Sequence, residues 1–519
     1  MNGGEALALS FANRKSIRFL LSAAYVASAA CFTLLVSMPA PLTTTWIGVA
    51  MSVLIVAGFV WRGQWYARFI ASFHPLRAVV AIVFAVMLVK AASGYFWQED
   101  PGRSLYAHMS VQTIRYPFFL AATFFAAVSG MLALPSLEGA ARMISRRLSR
   151  TDRLFLIYGS LIGIVMAACA LSIAPKLFMG YDLIYSLDSG YCLKFLYPDP
   201  TYAYIHHTLI SLLLFPIYAI AHGVSLLLGP SAFIEALVIT ILNMEIMLVV
   251  GVMLRQITQN DDVLALYTVA APLWMLSICP EKYSVTIFTL VLSIYLYHYR
   301  HDRGAKAAAV LATGANSVNI LGCIFYTLDA GWKKALPRAA KLAFLFFSLL
   351  VVMGRLDILV RFSKHFEWVG IFNQTESSFL YKCYAALDAM AAAIFVLPFE
   401  ADVQFFWAGI GSRFNVLGAL VLTVCLIGLF SKRKERTTVI FGFWMTFLAV
   451  LIVILNWAPY ESPLFAYSFF WAYVVLFVYG IQHVFRRKPV YAKFALRGLM
   501  ALCLMMNVYH LTALLTYLA

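Results

Sequence analysis

Charged residues are scarce in this chain. Asp and Glu together number 23 among 519 residues, and the four charged residue types make up only 12% of the sequence. A water-soluble domain of this length carries far more charge on its surface, so that class of protein is excluded. Instead, 63% of the residues are hydrophobic, and many apolar runs are long enough to cross about 30 Å of hydrocarbon. The composition therefore predicts an all-α, polytopic membrane protein.

Paired cysteines are also missing. The eight cysteines show no C-x-x-C spacing, and most lie inside apolar runs, where cysteine behaves as a small hydrophobic residue. The sequence thus predicts neither a disulfide framework nor a cysteine metal site, and we expect no cofactor. Carboxylates in the loops could hold a divalent cation, but no residue pattern specifies one.

The basic residues give a net formal charge of +16, yet they form short clusters between apolar runs. Cytoplasmic loops of membrane proteins carry such clusters under the positive-inside rule. Nucleic-acid binding is not expected, because no basic surface with interleaved aromatic residues is visible. The residues that we place on the cytoplasmic side are Arg142, Arg146, Arg147, Arg150, Arg153, Lys432, Arg433, Lys434, Arg436, Arg486, Arg487, Lys488 and Lys493.

With these clusters inside, the chain is expected to cross the membrane about 13 times, with additional re-entrant or juxtamembrane helices. Segment 208–228 contains Pro216 and ends at Gly229-Pro230, and we expect it to enter the membrane without crossing, since a crossing would place Arg300 outside. Segment 307–326 is expected to be a broken helix, because Asn316 and Asn319 interrupt it. No linker divides the chain. We therefore expect one integral domain, with residues 1–153 as accessory N-terminal helices and residues 154–519 as the main region.

Ionisable residues concentrate in two regions that this topology places outside. The first is the loop at 174–206, and the second follows Arg355. Each residue also has a purely structural interpretation: Asp188 can cap a helix, the histidines can lie at the interface, the cations can contact lipid headgroups, and Glu281 can stabilise a helix N-terminus. The candidate functional residues are Asp182, Asp188, His206, His207, Glu281, Arg361, Lys364 and His365.

One acid is predicted inside the membrane. Glu245 lies near the middle of the run from 231 to 254, where an ionised carboxylate costs about 3 kcal/mol on insertion scales. We expect it to face a cavity or a partner, or to be protonated. Asn243 on the same run is expected to form a hydrogen bond between helices.

Several elements follow one another in a fixed order between residues 150 and 485. They are Asp188-Ser189 in the first large loop, His207-Thr208-Leu209, Phe215-Pro216, Pro280-Glu281, the break from Gly314 to Asn319, and the late loop from Glu461 to Ser468. This order resembles that of the polyprenyl-phosphate-sugar-dependent glycosyltransferases of the GT-C fold, and among them bacterial enzymes that modify O-antigen or other envelope glycans. Where that family commonly has His-Pro-Leu, this chain has His-Thr-Leu.

The resemblance implies an inverting transfer of a sugar from an undecaprenyl-phosphate-linked donor to a glycan or lipid acceptor. It implies a multi-pass protein of the bacterial inner membrane with its active site facing the periplasm. Asp188 would be the catalytic base, with Asp182 as the alternative. His207 and the cluster from Arg361 to His365 would bind the phosphate or the acceptor.

Three other functions fit the sequence. A transporter or flippase is favoured by the broken helix and by Glu245, since both features recur at binding sites of carriers. An O-antigen polymerase or ligase also uses a large external loop with cations, but does not obviously require a base at Asp188. A structural membrane scaffold needs none of these groups.

Overall fold

The structure is a computed structural model, and it describes residues 15–36, 42–62, 64–98, 112–174, 209–278, 280–328, 331–356, 378–395, 413–454 and 462–518. Within these ranges the chain forms nineteen α-helices and no strand. Nine of the described helices are long and apolar enough to cross a membrane, or ten if one bent pair counts as a single span. The prediction of an all-α, polytopic membrane protein is therefore confirmed.

The first five helices pack around a core of their own. The aromatic rings of Tyr25, Trp65 and Phe125 stack in this core, with centroid distances of 5.2 Å between Tyr25 and Trp65 and 5.0 Å between Tyr25 and Phe125. The short helix α3 bends away from α4 by 108°. The helices are α1 (Lys15–Val36), α2 (Leu42–Trp61), α3 (Trp65–Ser72), α4 (Pro75–Gln98) and α5 (Gln112–Ser145).

The next six helices begin the larger core. The sequence predicts a single crossing from Val263 to Ile278, whereas the structure has two short helices separated at Ala270. The break has a local cause, because Pro272 has no amide hydrogen to donate, and a tertiary one, because the Ala271 amide donates to the Ile394 carbonyl oxygen. The helices are α6 (Arg150–Ile173), α7 (Ile210–Leu228), α8 (Ala232–Thr258), α9 (Asp261–Val269), α10 (Ala271–Leu276) and α11 (Tyr283–His298).

The predicted break near residue 316 is present. Helix α12 ends at Ala315, a 3-10 turn occupies Ser317–Asn319, and α13 follows directly. The Asn316 side chain accepts from the Val318 amide, and the Asn319 side chain donates to the Ala312 carbonyl oxygen. The helices of this part are α12 (Asp302–Ala315), α13 (Ile320–Leu328), α14 (Trp332–Val352) and α15 (Phe379–Ala392).

The last four helices complete the core. Two glycines lie where α16 and α18 touch backbone to backbone: a β-carbon on Gly428 would overlap the Leu476 carbonyl oxygen, and one on Gly480 would overlap that of Val424. Small residues allow such close helix packing in membranes. The helices are α16 (Arg413–Ser431), α17 (Arg436–Ala449, continued by a π-turn at Val450–Ile454), α18 (Ser462–Val484) and α19 (Pro489–Leu518).

Several helices end together at one face of the bundle, which we call the basic end because Arg147, Arg255 and Lys432 lie there. The Gln256 side chain accepts from the Tyr295 hydroxyl at 2.7 Å and donates to the Ile144 carbonyl oxygen at 3.3 Å. Further contacts tie the termini of α9 and α18 together and hold Arg147 4.1 Å from the Tyr299 ring centroid. Polar groups of the basic end thus bind one another across helices.

Candidate functional site: a polar layer and an apolar groove

Most of the residues that the sequence singles out lie outside the described residues. They are Asp182, Asp188, His206, His207, Arg361, Lys364 and His365. Glu281 is described, and its surroundings therefore define the candidate site.

Glu281 is buried just before α11, with 1% of its surface exposed. Its carboxylate accepts a hydrogen bond from the Lys282 amide at 2.7 Å. The side-chain amide of Asn243 donates to the Glu281 carbonyl oxygen at 2.6 Å, so Asn243 links α8 to the segment just before α11. Lys282 is also buried, and its ammonium nitrogen lies 5.5 Å from the centroid of the Tyr283 ring. An acid and a base are thus held next to each other inside the bundle.

The depth of this pair follows from helix lengths. Asn243 lies 15 residues before the last residue of α8, Thr258, and Tyr283 lies 15 residues before the last residue of α11, His298. At a rise of about 1.5 Å per residue, the pair lies about 22 Å above the basic end. The pair therefore lies in the half of the bundle opposite the basic end, about 8 Å short of the full length of a hydrocarbon core of about 30 Å.

A second buried carboxylate lies at a similar height. Asp388 on α15 has no exposed surface, and its Oδ1 accepts from the Asn415 side-chain amide at 2.6 Å. Asn415 lies 16 residues before the last residue of α16, Ser431, or about 24 Å above the basic end. We call Asn243, Glu281, Lys282, Asp388 and Asn415 the polar layer.

Sequence reasoning missed Asp388. The signal was available, because an ionisable residue within an apolar helix is a functional candidate by default, and the same argument had been applied to Glu245. The topology predicted from the sequence places the region after Arg355 outside, and the Ala-rich segment around Asp388 falls within that region.

Leu209, the first described residue after the loop at 174–206, contacts the broken helix at this level. The Leu209 amide, two residues after His207, donates to the Gly314 carbonyl oxygen at 2.7 Å. A β-carbon on Gly314 would come within 2.5 Å of the Leu209 side chain, so glycine permits the contact. Two elements that the sequence singled out separately are therefore joined. Because Ala315 lies 13 residues after Asp302, the junction is about 20 Å above the first residue of α12.

An apolar groove of about 790 Å³ runs beside the polar layer. Helix α6 forms one wall, α9 and α10 form the other, and Met244 and Leu248 of α8 form the floor. Met244 adjoins Asn243 in the chain, and the wall residue Ser277 comes four residues before Glu281. The groove therefore reaches the turn of α8 that carries Asn243, and no residue of the polar layer is among those that line it.

Glu245 has a protein partner, one of the arrangements expected for it. The Ser160 hydroxyl of α6 donates to its Oε2 at 2.9 Å. The contact lies between two glycines, Gly159 and Gly163, which bring α6 close to Leu248 and Met244 of α8. Glu245 therefore takes part in the packing of α6 against α8.

No group of three or more His, Cys, Asp or Glu side chains placed to bind a metal ion occurs in the described part of the chain.

Comparison of the chain with protein-family models, with curated proteins and with solved structures finds no match.

Proposed function

We propose that the chain is a membrane glycosyltransferase that moves a sugar from an undecaprenyl-phosphate-linked donor to a glycan or lipid acceptor. The transfer takes place at the end of the bundle opposite the basic end. By the positive-inside rule this end faces the periplasm of a bacterial inner membrane. The partners are a lipid-linked donor and its acceptor, and no nucleic acid is involved.

One observation carries the proposal. Glu281 and Lys282 are buried toward the end of the bundle opposite the basic end, and an apolar groove runs along α8, whose Asn243 binds the Glu281 main chain. A lipid-linked donor needs both an apolar and a polar site, because its chain requires hydrocarbon surroundings and its phosphate and sugar require polar partners. The arrangement therefore suits a substrate that is part lipid and part sugar.

The chemistry assigns a role to each candidate residue. Asp188, or Asp182 in its place, removes the proton from the acceptor hydroxyl, and the resulting oxygen attacks the anomeric carbon. The bond from that carbon to the phosphate oxygen breaks with inversion, and the lipid phosphate leaves. Cationic and hydrogen-bonding groups stabilise the charge that develops on the phosphate. The residues proposed for this task and for binding the acceptor are His206, His207, Glu281, Arg361, Lys364 and His365.

A carrier is the second candidate, because the break at Asn316 resembles the interrupted helices of transporters. Transport through the bundle would require the basic end to open, and the hydrogen bonds of Gln256 to Tyr295 and Ile144 would then have to break. A lipid-linked glycan polymerase or ligase would use the same polar layer without a base at Asp188.

Reconstituted protein provides the test. Wild type, Glu281→Gln and the control Asp302→Asn are incubated with a panel of undecaprenyl-phosphate sugars and candidate acceptors, and mass spectrometry follows the donor and the product. Asp302 is an exposed carboxylate at the start of α12 and lies far from the polar layer.

We expect transfer by wild type and by Asp302→Asn, and a loss of about a hundredfold in Glu281→Gln. Folded wild type that consumes no donor, but moves lipid or solute across vesicles, would replace the enzyme with the carrier. Equal transfer by all three proteins would remove Glu281 from the site.

A further inference from the structure

A cavity of about 680 Å³ lies at the basic end, where α16 and α18 end side by side. The two helices touch at Gly428 and Gly480, and the residues three positions further on, Ser431 and His483, both line the cavity. Its volume falls within the range of about 300–1,000 Å³ that small-molecule sites occupy. The other lining residues are Ile427, Phe430, Lys432, Arg433, Lys434 and Glu435.

The turn between α16 and α17 gives the cavity a positive charge. Lys432, Arg433 and Lys434 supply three cations, whereas Glu435 is the one carboxylate among the lining residues. The Lys432 ammonium nitrogen lies 2.9 Å from one oxygen of that carboxylate, and the Thr438 hydroxyl donates to the other at 3.3 Å. Arg433 and Lys434 are exposed, and no described residue forms an ion pair with either of them. Two cations are therefore available to an anion in the cavity.

The backbone of this turn is held in place by both helices. The Lys432 amide donates to the Gly428 carbonyl oxygen of α16, and the Glu435 amide donates to the Lys432 carbonyl oxygen at 2.9 Å. The Lys432 ammonium nitrogen lies 4.7 Å from the centroid of the Tyr479 ring of α18. A fixed turn lowers the entropic cost of binding, because less of the chain has to be ordered when a ligand arrives.

Exposed apolar side chains continue from the cavity along α16. Phe430 lines the cavity with 63% of its surface exposed, and Ile427 lines it one turn earlier. Leu420 and Val416 are exposed on the same face of the helix, since they follow the spacing of three or four residues. Leu420 lies ten residues before Phe430, or about 15 Å along the helix, and one leaflet of a hydrocarbon core of about 30 Å has the same depth. This stripe is long enough for one acyl chain of a phospholipid whose head occupies the cavity.

We propose that the cavity binds the phosphate head group of an anionic phospholipid from the cytoplasmic leaflet, with an acyl chain along the α16 stripe. Arg433 binds the phosphate oxygens through its planar guanidinium, and Lys434 adds a second positive charge. Basic pockets between membrane helices on the cytoplasmic side suit such head groups. Cations at a helix C-terminus also stabilise the helix dipole, but that role needs neither a cavity nor an apolar stripe. The inference does not depend on the proposed function, because the polar layer lies toward the opposite end of the bundle.

Two double variants that lose the same charge test the site. Arg433→Gln combined with Lys434→Gln removes the two available cations. The matched control combines Arg146→Gln with Arg150→Gln, since both arginines are exposed at the basic end and neither lines the cavity. Native mass spectrometry of the full-length protein measures the binding of phosphatidylglycerol and of phosphatidylcholine, with inorganic phosphate as the competitor. In a second measurement, phosphatidylglycerol with a photoreactive group on its acyl chain labels wild type, and the labelled peptides are identified.

We expect wild type and the control to bind phosphatidylglycerol equally well. The variant that lacks Arg433 and Lys434 should bind it about thirtyfold more weakly, because each cation near an anionic lipid contributes about fivefold. Phosphatidylcholine, which has no net charge, should bind to wild type at least about tenfold more weakly than phosphatidylglycerol. The photoreactive lipid should label α16 between Leu420 and Phe430.

Four results would overturn the inference. Equal weakening in both double variants would mean that the overall surface charge, and not the cavity, attracts the lipid. Equal binding of the two phospholipids would remove the role of the phosphate charge. Displacement of phosphatidylglycerol by inorganic phosphate at millimolar concentration would identify a free phosphate as the ligand. Labelling confined to other helices would remove the α16 stripe, whether or not the double variants fold.

Discussion

The side-chain amide of Asn243 donates a hydrogen bond to the main-chain carbonyl oxygen of Glu281 across 2.6 Å. Asn243 has no exposed surface, so its bond holds the start of α11 against α8 within the polar layer. Asn243→Leu leaves that carbonyl oxygen without this donor, and we expect a loss of about 1–3 kcal/mol in the free energy of unfolding. Transfer activity should fall as well, because Glu281 loses its anchor. Denaturation in mixed micelles measures the first effect, and unchanged stability would contradict it.

The α6–α8 contact predicts a second result. A β-carbon on Gly163 would overlap the Met244 side chain, so Gly163→Ala requires Met244 to change its conformation or α6 to move away from α8. We expect a loss of about 1–3 kcal/mol, as for overpacking in a core. Gly223→Ala is the control, since no atom lies within 4 Å of the position of its added carbon. Thermal denaturation of both variants should show that only Gly163→Ala melts at a lower temperature.

Arg255 provides a third prediction. Its guanidinium is the cationic partner of Asp152, whose side chain has no exposed surface. Arg255→Leu leaves a buried carboxylate without that cation, and we expect a loss of about 3 kcal/mol. The double variant with Asp152→Asn should recover part of this loss, because it removes the charge. If the double variant is as unstable as the sum of the two single variants, the pair does not act as described.

Glu245 gives a prediction of the opposite sign. In Glu245→Gln the amide oxygen can still accept the bond from Ser160, and a group that is costly to ionise in a membrane is gone. We expect unchanged or slightly higher stability and unchanged activity. A large loss of pH-dependent transport or transfer in this variant would instead favour the carrier.

The fold class and the helix break could be predicted from sequence because they depend on local composition. Apolar runs reveal membrane helices, and Asn316 with Asn319 marks a place where side chains compete for backbone hydrogen bonds. Pro272 marks the interruption near Ala270 in the sequence. The hydrogen bond from the Ala271 amide to Ile394, more than a hundred residues away in the chain, could not be predicted.

The candidate site, too, could be predicted from the sequence only in part. Glu281 could be found from the sequence, since a carboxylate beside a proline breaks an apolar run. Its depth and its bond to Asn243 could not, because both depend on how α8 and α11 align. Asp388 was missed although it is an acid in an apolar, Ala-rich segment, and its bond to Asn415 required the structure. The groove also required the structure, because its walls come from helices that no sequence pattern pairs.

Release of undecaprenyl phosphate from a sugar-linked donor, compared between wild type and Asp188→Asn, tests the central claim most directly. The account predicts release coupled to product formation in wild type and a loss of at least about a hundredfold in the variant, with both proteins folded and inserted. Equal release by the two proteins, together with unchanged product, would contradict the assignment of Asp188 as the base. No release by wild type with any donor would contradict the glycosyltransferase itself.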